Sequence, residues 1–121
     1  FRKFLAHIDK ELPFAERSNI ADSSIAAKLY YTSLGVPFYV MEMMVKATRF
    51  ALQKGKDRLD EEVLNQAFQK IKRSGRPFTI NPFNVNNFDF DEAMHNEKNH
   101  IKKYEERKVT KKGNGSKTKA Q

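Results

Sequence analysis

The feature that most constrains this chain is a seam near residue 75. Before it, four amphipathic helical patterns follow one another, each with start and stop signals. After it, helical periodicity fades into a Phe/Asn/Pro stretch and then a lysine-rich end. The seam also divides the charge. Residues 1–97 carry 14 Lys+Arg against 13 Asp+Glu, whereas residues 98–121 carry 9 against 2. The helical part is therefore nearly neutral, and attraction to polyanions is concentrated in the last two dozen residues.

A chain of 121 residues accommodates one small domain plus a tail, with a marginal core. It has no cysteine, which excludes disulfides and cysteine-based zinc sites and fits a reducing cytosol. No apolar run approaches the ~20 residues of a membrane span. The chain starts at Phe1 without an initiator Met and reads as the C-terminal piece of a longer protein.

Phe1, Phe4, Leu5, Ile8 and Leu12 recur at the three-to-four spacing of one helical face, and Pro13 ends that helix. A polar connector over 13–22 carries two apolar anchors, Phe14 and Ile20. Asp22 or Ser23 is expected to cap a second helix with its side chain. Ile25, Ala26, Leu29 and Tyr30 are the expected buried face, and Gly35 falls where a left-handed cap belongs. Pro37 opens a third helix that runs to about Lys54. It is apolar on more than one face, which predicts a central helix packed on two sides. Its methionines Met41, Met43 and Met44 read as core, with Met43 the one most expected at the surface. The fourth helix is capped by Asp60, with Glu61 and Glu62 complementing its dipole. Leu59 is positioned to staple onto Leu64, and Ser74-Gly75 is the expected stop. The fold class is all-α: a small four-helix bundle over 1–75, an extended strap over 76–97 and a basic, partly disordered tail over 98–121.

Leu12-Pro13-Phe14, Ala21-Asp22 opening a helix that ends in Leu34-Gly35, a long apolar helix, and Arg58-Leu59-Asp60 opening the last helix occur in the order of the helical lid of AAA+ ATPases. More narrowly, residues 1–75 resemble the C-terminal lid of the TnsC/TniB transposition regulators. The resemblance implies a bacterial, cytoplasmic, nucleoid-associated parent ATPase. Its core would bind ATP and Mg, self-associate on double-stranded DNA and recruit transposase subunits. This chain has no GxxxxGK[ST] sequence, so no cofactor and no catalysis are expected of it. Many such lids carry an arginine early in the helix after the glycine turn. Here Gly35-Val36-Pro37-Phe38-Tyr39-Val40 has none, and no Lys or Arg occurs before Lys46. Gly35, Phe38 and Tyr39 are the nucleotide-proximal candidates the resemblance implies, unless the lid serves as a hinge and assembly surface.

Outside the bundle, Phe78, Phe83, Phe88 and Phe90 sit among prolines and asparagines. They read either as partner-docking anchors or as a strap folded over the bundle's own core. Asp91 is the expected cap of a thin helix to Lys108. Lys98, Lys102, Lys103, Arg107, Lys108, Lys111, Lys112, Lys117 and Lys119 form a basic arm suited to DNA phosphates. Gly113-Asn114-Gly115-Ser116 has flexible-linker composition. His7, His95 and His100 lack ligand spacing, so no metal site is expected. Glu42, Asp57, Asp60, Glu61 and Glu62 have no nucleophile beside them. The competing reading is a stand-alone basic helical nucleic-acid-binding protein, for which helix four offers only Asn65, Gln66 and Gln69.

Overall fold

A computed structural model describes residues 1–71, 76 and 79–120, with side chains to Val109. Its order is α1 (Arg2–Glu11), α2 (Ser23–Ser33), α3 (Pro37–Gln53), α4 (Glu61–Gln69), a 3-10 turn (Pro82–Asn84) and α5 (Phe90–Ala120). The protein is all-α, with no strand among the described residues. One core joins Leu5 and Ile8 of α1, Ile20 of the connector, Ala26 and Leu29 of α2, Val40, Met43, Met44 and Ala47 of α3, and Leu59, Val63 and Leu64 around α4.

The helix ends follow local chemistry. Pro37 occupies the first turn of α3, where the missing N–H costs nothing. The Asp60 carboxylate accepts the Val63 N–H at 2.9 Å, and Leu59 and Leu64 are both buried. α2 is different. Asp22 stands at its N-cap without taking a helix N–H; its carboxylate accepts the Ser24 hydroxyl instead. At the other end Leu34 and Gly35 are both left-handed, with φ of 54° and 76°. A Cβ on Gly35 would lie 2.8 Å from the Tyr30 ring, so both conformation and space select glycine there.

Five expectations need correction. The buried tyrosine of α2 is Tyr31, 1% exposed, while Tyr30 stays 38% exposed. Met43 is buried and Met41 faces outward, because α3 buries Val40, Met43, Met44, Ala47 and Ala51 on one side only. The expected packing on two sides is absent: Phe38, Met41, Val45 and Leu52 remain exposed. α4 ends at Gln69, short of Ser74-Gly75, which lie outside the described residues; Ile71 leaves the helix and packs against the core. α5 starts at Phe90 rather than after Asp91, because the Asp89 carboxylate accepts the Glu92 N–H at 3.1 Å.

α5 spans Phe90–Ala120 and crosses residue 97 without a break. Lys, Glu and Arg between Lys98 and Lys108 are strong helix formers, which sustains the helix where its apolar stripe gives out.

Candidate partner and nucleic-acid interface

The strap is a clasp. Asn81 caps the 3-10 turn by accepting the Phe83 N–H at 3.1 Å. Its amide donates to Asn65 Oδ1 at 2.6 Å, and Gln69 Nε2 donates to the same oxygen at 3.0 Å. Pro82 and Phe83 are thereby turned into the core formed with α4. Two of the three polar side chains offered for base reading, Asn65 and Gln69, are thus occupied in holding the strap.

The three described docking candidates, Phe83, Phe88 and Phe90, lie against the bundle. Phe83 is 8% exposed. Phe88 meets Tyr31 edge-on with ring centres 5.3 Å apart, and Phe90 meets Tyr30 at 5.8 Å. Phe78 lies outside the described residues. Pro82 and the Asn81 cap bend the strap into a turn over Pro82–Asn84.

Sequence reasoning missed the centre of this clasp. Arg76 Nε and Nη2 donate to the two oxygens of Glu97 at 2.8 and 2.6 Å. Its Nη1 donates to the Tyr31 and Thr32 carbonyls at 2.6 and 3.2 Å. Those carbonyls belong to the last turn of α2, where a cation suits the helix dipole. The guanidinium carbon sits 5.1 Å from the Tyr31 ring centre, within cation–π reach. The ion pair is bidentate and nearly dry, with side-chain exposures of 12% and 6%. The Thr79 hydroxyl donates to Glu97 at 3.3 Å. Glu97 is one carboxylate in a lysine-rich run, and nothing in that pattern distinguishes it from a solvated residue.

Tyr31 completes the cluster, its hydroxyl accepting the Ile80 N–H at 3.1 Å. Burial holds its phenol above the ordinary value of 10.0, so the unfolded chain loses that proton first. The stability Tyr31 contributes is therefore full below its unfolded pKa and is lost as pH rises through the folded one. The denaturant midpoint should fall above about pH 10, and fall less steeply in Tyr31→Phe. Equal slopes would show that this phenol is not a source of alkaline lability.

Beyond Glu97, Lys98, Lys102, Lys103, Arg107 and Lys108 are all exposed. The side chains of Lys111, Lys112, Lys117 and Lys119 lie outside the described residues. At the α2–α3 turn, Phe38 is 71% exposed and stacks edge-on with Tyr39 at 5.6 Å, while Gly35 is half-buried against Tyr30. These three candidates share one exposed corner.

A polar cleft of about 730 Å³ gathers Ala21-Asp22 and Arg58-Leu59-Asp60 with Asp9, Arg17 and Ser18. The motif residues Ala21-Asp22 and Arg58-Leu59-Asp60 thus meet at one end of the bundle. The buried Asp9 carboxylate accepts the N–H groups of Ser18 and Asn19, both at 2.9 Å. Ser18 Oγ in turn accepts the Leu59 N–H at 2.8 Å. Among the described residues, no group of three His, Cys, Asp or Glu could hold a metal. No described helix is long and apolar enough to cross a membrane. Comparison with known protein families, curated proteins and solved structures found no match to this chain.

Proposed function

We propose that this chain is a regulatory and interaction module: the lid and C-terminal arm of an AAA+ ATPase of the TnsC/TniB kind, which couples target-DNA selection to transposase recruitment. The observation that carries the reading is the division within α5. Its first two turns are clasped to the bundle through Ala93 and Glu97, and from Lys98 to Lys108 its cations face solvent. A helix so anchored presents charge to double-stranded DNA with little ordering cost on binding. The bundle itself supplies shape: an exposed corner at Gly35, Phe38 and Tyr39 for a nucleotide-binding body, whose ATP and Mg this chain does not hold. The lid resemblance of residues 1–75 supplies the family.

The test is DNA affinity against salt. The chain should bind duplex DNA with a log–log salt slope of roughly −0.9 per phosphate contacted. Lys102→Ala, Lys103→Ala and Arg107→Ala together should make the slope shallower by about two to three. A slope unchanged by those substitutions would remove α5 from the interface. For the parent, DNA assembly by the intact gene product should require ATP; assembly indifferent to nucleotide would end the AAA+ assignment.

A further inference from the structure

The bundle uses one face of α3 and leaves the opposite one bare. Phe38, Met41, Val45 and Leu52 are 71%, 44%, 46% and 56% exposed, with Thr48 half-buried between them. Positions 38, 41, 45, 48 and 52 advance by three, four, three and four. That is the 3.5-residue repeat with which two helices interlock along a seam. A stripe of this size left open on a surface helix marks an interaction site. α1 forms a wall beside it: Phe4, Ile8 and Leu12 join Met41, Met44 and Val45 around a groove of about 520 Å³.

The flanking charges identify the occupant. Glu42 and Arg49 each follow a seam position by one residue, Met41 and Thr48, so they lie on the same flank. Among the described residues neither forms a salt bridge. In a parallel pair of α3 helices, each would face the other flank of its neighbour, where Met44 and Ala51 are buried in the bundle. In an antiparallel pair, Val45 opposes Thr48 of the second copy and Met41 opposes its Leu52. That register brings Glu42 opposite Arg49 of the second copy, and two-fold symmetry makes the contact twice. The same register carries Phe38 past the end of the second copy's α3 at Gln53, beside Gly55, over whose backbone there is open space.

We propose that the occupant of this face is a second copy of the chain, paired through α3 in an antiparallel, two-fold dimer. The inference stands apart from the DNA reading and does not use α5; it shares only Phe38 with the corner proposed for the nucleotide-binding body.

Sedimentation equilibrium of the full chain tests it. The wild-type chain should dimerise. Glu42→Arg and Arg49→Glu should each raise the dimer dissociation constant about tenfold, because two attractive contacts become repulsive. Combining the two swaps should restore the wild-type value. Val45→Asp should abolish the dimer while the helical circular dichroism is retained. A wild-type chain that remains monomeric into the sub-millimolar range overturns the proposal and leaves the seam to a different protein. A dimer indifferent to either swap, or one the double swap fails to restore, also overturns it.

Discussion

Arg76→Ala is expected to cost about 3–5 kcal/mol, because it leaves the Glu97 carboxylate buried without its cationic partner, beside the neutral Thr79 and Tyr31 hydroxyls. The Tyr31 and Thr32 carbonyls lose a cationic partner at the same time. The loss should be local. The core of α1 to α4 does not include Arg76 or Glu97, so the first turns of α5 should detach while the bundle stays folded. Amide exchange read residue by residue would show protection lost over residues 93–97 and kept in α3 and α4. A control separates charge from packing. Arg76→Met combined with Glu97→Leu removes both charges and retains volume, and such replacements are commonly neutral or stabilising. If Arg76→Ala left the α5 amides as protected as before, the ion pair would not be what fastens the helix.

The second large effect is expected at Asp9. Its two oxygens each accept a backbone N–H of the connector, and hydrogen bonds to a charged group contribute about 1.5–3 kcal/mol each. Asp9→Ala should therefore cost roughly 3–5 kcal/mol, near the upper range for a single substitution. The connector between α1 and α2 carries Asn19 at φ 60°, a strained conformation for a side-chain-bearing residue. Without Asp9 that residue keeps only the bond of its carbonyl to the Asp22 N–H, and Ile20 should be drawn from the core with it. Ser18→Ala interrupts only the next link, to the Leu59 N–H, and should cost less, about 1–3 kcal/mol. Chemical denaturation of the two variants checks the order. Equal costs would mean that the Leu59 approach to α4, rather than the Asp9 carboxylate, fixes the connector.

What could be read from the residues was whatever local chemistry decides. Asp60 caps α4, Pro37 opens α3, the Leu34-Gly35 turn ends α2, and the buried positions of α1 include the expected Leu5 and Ile8. The misreadings arise where a distant partner decides. Tyr30 and Tyr31 are neighbours with equal claims on the core. Tyr31 is taken inward because Arg76, 45 residues later, lies against its ring and carbonyl. Met41 and Met43 were ambiguous because α3 is apolar on both sides, and periodicity alone cannot say which side a bundle will cover. The strap phenylalanines look alike as anchors for a partner or for the chain itself. The turn built by Asn81 and Pro82 is what sets Phe83 against the bundle's own core. The same ambiguity conceals the exposed seam on α3, since a helix apolar on more than one face reads as covered on each of them.

The fastening of α5 at Glu97 has a mechanical consequence. From that carboxylate to Val109 the helix advances about 18 Å. A tilt of about 10° at the fastened end would swing the far residues through about 3 Å, comparable to the length of a hydrogen bond. A small shift of Tyr31 or Thr32 would thus become a displacement large enough to bring a distant lysine into or out of reach of an anion, making the helix a lever with its fulcrum in the bundle.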